Sequence, residues 1–317
     1  MHGVSRLFYA QVFVLLERQP NSCAHHGIVR LFLQPLALPA GKLLHMPRRS
    51  ALQSLVPSAL LDTMRRLQGT KIRFVGNFGS WEEAKAASTG YSAQVILDRT
   101  IEATRKVKRG EAAFERDSIT YGEMEHNFPL AWALMRAAAK CGRLHVLDFG
   151  GAMGTTYFQS RALVNAAPHL KWAIVEQPSH VEAGINEFAN KELSFHPTIE
   201  DACKRQEIDV LILSGVLQYL PDPLLFLDSV LERRFRSIIV DRTPFMLAGR
   251  ARLTVQHVPK WIYPASYPAW FFSDSEVLDK FSKQYEEVAT WQALDKHHPE
   301  GGRAQYKGFL FELKKAS

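Results

Sequence analysis

An acidic residue, Asp148, follows the short apolar run of His145–Leu147 and is itself followed by Gly150, Gly151, Gly154 and Thr155. Glycines at the carboxyl end of a strand let the backbone turn tightly and approach a ligand, and a helix starting near Thr155 points its N-terminus at a carboxylate. About twenty residues later Glu176 ends a second apolar run, where a carboxylate can accept both hydroxyls of a ribose. Ser214 and Gln218 lie on the exit from the most apolar run, Asp209–Ser214, and offer further hydrogen-bonding groups. The pattern suits a nucleoside. No Gly-Lys-Ser/Thr follows the glycines, so a phosphate-gripping loop is not expected.

Groups able to move a proton or hold a second substrate come later in the chain. Asp241 and Arg242 end the run Ser237–Asp241, where the first could act as a base and the second could hold an anion. Tyr219 and His257 are further candidates for proton transfer, His257 because imidazole titrates near neutrality. The connection Thr243–Phe272 is long for a strand-to-helix link and is expected to be a lid, with Tyr263, Tyr267 and Trp270 presenting aromatic faces to an acceptor such as a sugar ring. Cys23, Cys141 and Cys203 are scattered and show no paired spacing, so neither a disulfide framework nor a metal site is expected, and a reducing cytoplasmic setting is the default.

These residues need a scaffold. From Asn127 onward strands and helices alternate: Leu144–Phe149, Trp172–Glu176, Leu193–His196, Asp209–Ser214 and Ser237–Asp241 read as strands. Helices are expected after Asn127, from Thr155 to about Asn165, from a Ser179/Glu182 capping box, at Thr198 with Asp201, at Asp222-Pro223 and at Ser273 with Glu276. Tyr285–Leu294 and Tyr306–Leu313 then follow with no helix between them, which makes them a hairpin. The expected fold class is α/β, a doubly wound and mostly parallel sheet with a terminal β-hairpin.

Upstream, residues 46–126 read as an N-terminal helical region. It holds a short helix near Pro57–Leu67, a Ser80/Glu83 capping box opening a helix at Trp81, and a longer helix over Ser92–Arg109. Basic residues between Arg48 and Arg73 make that stretch a candidate for peripheral membrane contact. Residues 1–45 mix apolar runs with prolines and read as a poorly ordered extension. They are expected to be an over-extended start, with translation beginning at Met46; a targeting segment is the alternative, but no small-residue cleavage site follows Leu16. The net charge of +7 is spread along the chain without an aromatic-interleaved stripe, which argues against nucleic acid, and no apolar run reaches the ~18–20 residues that span a bilayer.

The turn Asp148–Gly154 resembles the D-x-G-x-G-x-G signature of class I S-adenosylmethionine-dependent methyltransferases, with Ala152 in place of the middle glycine. The strings Phe74–Tyr91, Val146–Gln159, Asp209–Pro223, Val240–Phe245 and Tyr263–Trp270 are similar to a bacterial methyltransferase family whose genes often lie among those for surface polysaccharides. This resemblance runs from about residue 50 to the C-terminus. It implies a Rossmann-like sheet over 127–317, with 243–272 as an acceptor-side insertion and S-adenosyl-L-methionine as cofactor. Asp148, Gly150, Gly151, Gly154, Thr155, Glu176, Ser214 and Gln218 would hold that cofactor. Arg242, Tyr263, Tyr267 and Trp270 would face the acceptor, a glycan or small metabolite methylated on oxygen. A catalytically silent cofactor-binding subunit of a polysaccharide assembly and a nicotinamide-dependent oxidoreductase remain as alternatives.

Overall fold

The computed structural model describes residues 72–90, 93–259 and 262–315. The expectations about 1–45, a start at Met46, the helix near Pro57–Leu67 and all but the last two residues of 48–73 lie outside the described residues.

The chain enters as strand β1 (Arg73–Phe78), followed by helices α1 (Trp81–Ala86) and α2 (Ala93–Lys108) and a small pair of strands, β2 (Phe114–Arg116) and β3 (Ile119–Tyr121). The Ser80/Glu83 box forms with both arms: Ser80 Oγ accepts the Glu83 N–H at 3.2 Å, and Glu83 Oε2 reaches back to the Gly79 N–H at 3.0 Å. The expected helical region is therefore mixed over its described part, since β1 and the β2–β3 hairpin interrupt it.

Helix α3 (Phe128–Cys141) leads into β4 (His145–Phe149), α4 (Thr155–Ser160), β5 (Lys171–Val175), α5 (Pro178–Glu187), β6 (Leu193–His196), α6 (Ile199–Arg205) and β7 (Val210–Ser214). A 3₁₀ turn over Leu217–Tyr219 precedes α7 (Pro223–Leu231) and β8 (Ser237–Met246); β9 (Arg252–Val258), β10 (Ala265–Phe271), α8 (Asp274–Ser282), β11 (Tyr285–Gln292) and β12 (Ala304–Leu313) complete the chain. The main sheet has the order β11-β12-β8-β7-β4-β5-β6. Strands β8 to β6 run parallel, and β12 is antiparallel to both β8 and β11. This is a Rossmann-like α/β arrangement, with the terminal hairpin inserting its second strand beside β8.

The alternation of side chains explains why helices cover both faces. Leu147, Leu211, Leu213, Ile238 and Val240 point to one side, onto Ala202, Leu227, Val230 and Phe281 of α6, α7 and α8. Val146, Val210, Ile212, Trp172 and Ile174 point to the other, onto Leu134 and Ala138 of α3 and Val181 of α5.

Three local expectations change. Helix α4 stops at Ser160 rather than near Asn165, and 161–166 continue as turns. Helix α5 starts one residue before Ser179: Pro178 takes the first helical position, which suits its fixed φ and missing N–H, so Gln177 becomes the cap and Ser179 makes no capping bond. The stretch 243–272 is not a lid loop. Strand β8 runs on to Met246, and β9 and β10 pair with each other and with β1 as a second sheet, β1-β9-β10.

Candidate functional site

Where β4, β5 and β7 end, beside Arg242 of β8, a cleft opens with about 800 Å³ of empty space, including space open to solvent. It lies beside the point where the strand order reverses, with β5 and β6 on one side of β4 and β7 and β8 on the other. One wall is the glycine turn. Asp148 is buried at its base, and the Trp172 Nε1–H donates to its Oδ2 at 3.3 Å. A Cβ on Gly151 would lie 2.7 Å from Asp148 Cγ, so only glycine fits there. Ala152 holds a left-handed φ of 51°, the conformation for which a glycine is the usual choice.

Glu176, buried at the end of β5, ties this turn to its neighbour. Its Oε1 accepts the Ala152 N–H at 3.2 Å and its Oε2 the Gln177 N–H at 2.9 Å. Burial pushes both Asp148 and Glu176 up to about 7; for Asp148 the nearby Glu176 adds to the effect, and for Glu176 the two N–H donors oppose it. His180 of α5 also lines the cleft. It is 8% exposed, its Nδ1 is buried without a partner among the described residues, and burial pushes its pKa down to about 4, keeping the ring neutral. An orphaned neutral imidazole beside the Glu176 carboxylate suits a polar heterocyclic ligand.

The opposite wall is the β2–β3 hairpin, which nothing in the sequence had singled out. Asp117 and Ser118 both have positive φ, 56° and 66°, and Arg116 pairs with Ile119, so the two form a two-residue turn with primed geometry. Asp-Ser lacks the glycine that advertises such turns, and strands of three residues carry no periodicity. The turn carries acids into the cleft. Glu115 accepts the Thr155 hydroxyl and the Ser118 N–H. The Arg242 Nη2 donates to Asp117 Oδ2 at 3.4 Å and its Nε to Asp295 Oδ2 at 3.2 Å. Burial pushes Asp117 up to about 7 even though Arg242 and Arg116 pull the other way. Arg116 pairs with Glu125 at 2.7 Å.

A second cleft, with about 680 Å³ of empty space, shares Thr155, Thr156, Ser214 and Arg242 with the first. Asp241 lies on its lining, fully buried. Both of its oxygens are engaged: the Asn127 amide donates to Oδ2 at 2.8 Å and the Trp291 indole to Oδ1 at 2.9 Å. Asn127 also caps α3, accepting the Leu130 N–H at 3.1 Å. Asp241 therefore anchors a helix start and β11 to β8, each of its oxygens accepting one hydrogen bond.

Other expected residues separate in the same way. Thr155, Ser214, Glu176, Asp148, Gly150, Gly151, Arg242 and Tyr263 line the main cleft, and Gly154 is the cap of α4 with φ 100°. Gln218 does not line it; its side-chain amide donates to the Arg242 carbonyl at 3.3 Å. Tyr219 donates its hydroxyl to Gln256 Oε1 at 2.9 Å, and burial drives its pKa well above the usual phenol range. His257 is exposed on β9 opposite Arg73 and borders neither cleft. Tyr267 is buried in a core of aromatic and aliphatic side chains, and the Trp270 indole donates to the Leu220 carbonyl at 3.2 Å. Tyr267 and Trp270 take packing positions on β10, Tyr219 packs from the 3₁₀ turn and His257 sits on the exposed side of β9; a lid was the wrong picture because the segment is a sheet. Among the described residues no group of His, Cys, Asp and Glu is arranged to hold a metal.

No family model and no curated protein matches the chain. Among solved structures, it is similar to the N-terminal domain of EvdMO1, crystallised with SAH and D-fucose, at 13% identity and a TM-score of 0.43 over 67% of this chain and 96% of that one. It is also similar to the Burkholderia thailandensis 1,6-didemethyltoxoflavin-N1-methyltransferase, bound to 1,6-didemethyltoxoflavin and S-adenosylhomocysteine, at 14% identity and a TM-score of 0.37 over 78% and 97%. The N-methyltransferase NodS from Bradyrhizobium japonicum, in complex with S-adenosylhomocysteine, gives 14% identity and a TM-score of 0.36 over 60% and 90%. Likenesses this distant transfer no activity, and what the protein does rests on its own cleft.

Proposed function

We propose that the protein is an S-adenosyl-L-methionine-dependent methyltransferase that methylates a hydroxyl of a small metabolite or glycan. One observation carries this reading: the glycine turn and Glu176 are hydrogen-bonded to each other across one cleft at the strand-order reversal. A carboxylate and a glycine turn held together in this way support a site for a nucleoside with an amino-acid tail. The residues present fit such a cofactor. Glu176 would hold the ribose hydroxyls, Gln177 and the orphaned His180 would meet the base, and Asp148, Gly150 and Thr155 would surround the methionine end. When bound, the cofactor supplies a methyl group on a sulfonium, which any positioned nucleophile can take in line.

Among the described residues the main cleft carries four carboxylates with buried side chains, Glu115, Asp117, Asp148 and Glu176, against one cation, Arg242, already shared with Asp295. A cationic cofactor suits that balance better than a dinucleotide with its pyrophosphate. Calorimetry with S-adenosylmethionine, S-adenosylhomocysteine and NAD separates the readings. Micromolar binding of both sulfur nucleosides is expected; binding of NAD alone would replace this proposal with an oxidoreductase. The engagement of Asp241 and Tyr219 favours, as a second reading, a subunit that binds the cofactor without transferring from it, unless another base faces the cleft.

A further inference from the structure

We propose that Asp117, at the tip of the β2–β3 hairpin, is the catalytic base that takes the proton from the acceptor hydroxyl. This rests on the methyltransferase reading above.

The donor needs only one wall of the cleft, Asp148 to Thr155 with Glu176. The facing wall, made by the hairpin tip, Arg242 and Tyr263, is left for the acceptor. Of the groups on that wall able to accept a proton, Glu115 is already engaged by the Thr155 hydroxyl and the Ser118 N–H. Tyr263 is a phenol held above its usual range by burial and by the Asp117 charge, and Arg242 is a fixed cation. Asp117 differs from all three. Its side chain is 7% exposed, Arg242 engages only Oδ2, and among the described residues Oδ1 has no hydrogen-bond partner.

Charged groups face Asp117 from every side: Glu115 and Arg116 from β2, Arg242 from β8 and Asp295 beyond β11. Among phenols, Tyr121 of β3, Tyr219 of the 3₁₀ turn, Tyr263 and Tyr267 of β10 feel its charge. Burial outweighs the two arginines and brings the carboxyl to about 7, where it is a useful base at neutral pH. The step balances. The acceptor oxygen forms a bond to the methyl carbon, the carbon–sulfur bond breaks with its electrons going to sulfur, the hydroxyl proton passes to Asp117 Oδ1, and neutral S-adenosylhomocysteine leaves. Arg242 keeps the carboxylate oriented through Oδ2.

The acceptor is not needed for the test. Two analogues of S-adenosylhomocysteine, with nitrogen in place of sulfur, carry a 2-hydroxyethyl or a 2-methoxyethyl arm where the methyl would sit. Calorimetry measures both, with S-adenosylhomocysteine as reference, on wild type and on Asp117→Asn, a residue that tolerates the left-handed turn. A hydrogen bond to a carboxylate predicts that wild type prefers the hydroxyl arm about ten-fold at pH 8 and loses the preference as pH falls below 7. Asp117→Asn should bind S-adenosylhomocysteine with a preference of about two-fold or less that ignores pH. Wild type binding S-adenosylhomocysteine with no hydroxyl preference, or a preference that Asp117→Asn retains with its pH dependence, overturns the role of Asp117 alone. Failure of wild type to bind S-adenosylhomocysteine instead removes the cofactor reading on which it rests.

Discussion

Replacing Glu176 by glutamine puts the proposed cofactor wall to a quantitative test. In the folded protein burial holds Glu176 at about 7, against 4.5 for the free carboxyl. The fold thus binds an extra proton between those values. That contribution to stability is complete below 4.5 and is lost as pH rises through 7. Its size follows from the displacement: the charged form is disfavoured by roughly 3 kcal/mol. Glutamine cannot ionise, so it escapes this loss. It also brings a defect that does not depend on pH, because Ala152 and Gln177 donate to different oxygens and an amide has only one. A donor left facing an NH₂ costs about 1–3 kcal/mol.

The two effects separate when urea unfolding is followed from pH 5 to pH 8. Glu176→Gln should be less stable than wild type at pH 5, and the gap should close or reverse by roughly 3 kcal/mol at pH 8. Calorimetry on the same variant should show S-adenosylhomocysteine binding weakened by about ten- to a hundred-fold, the loss of charge-assisted bonds to two ribose hydroxyls. Parallel stability curves across the pH range would mean that Glu176 is not a buried carboxyl poised near 7. Unchanged binding would remove it from the cofactor site. Either result refutes the reasoning from which the function is drawn.

Three further outcomes follow from the geometry. Ala152→Gly removes a side chain from a φ of 51° and should raise unfolding stability by about 1 kcal/mol in a denaturant titration, with S-adenosylhomocysteine binding retained. Asn127→Ala loses the α3 cap and leaves buried Asp241 Oδ2 without its donor; a loss of about 2–4 kcal/mol is expected by the same measurement. Arg242→Met strands Asp117 and Asp295 in the interior without their shared cation. The expected loss is roughly 3–5 kcal/mol at pH 8, shrinking toward pH 5 as the carboxyls protonate, and a loss that stays constant with pH would contradict it.

What the sequence revealed and what it hid divide along the range of the interactions involved. Asp148–Gly154, Glu176 and the final hairpin depend on local rules, on glycine where a Cβ would strike Asp148 and on the two-residue period of a strand, and both are written in neighbouring letters. The residues on the far wall are not. Asp117 reaches the cleft through a turn with no glycine, and it is held by Arg242 from a strand more than a hundred residues away. Asp241 looks like a base in the sequence, since a carboxylate at the carboxyl end of a parallel strand usually faces a ligand. Only the folded chain shows Asn127 and Trp291 closing on it from two other elements. His257, Tyr267 and Trp270 illustrate the same gap: a stretch of loop-like length became a sheet because β1, far upstream, supplied its third strand. On the proposed function, the donor half of the site is specified by local sequence and the acceptor half is assembled by long-range packing. The residue that meets the acceptor is therefore to be sought among side chains that the fold brings in with an oxygen left over, and Asp117 is such a side chain.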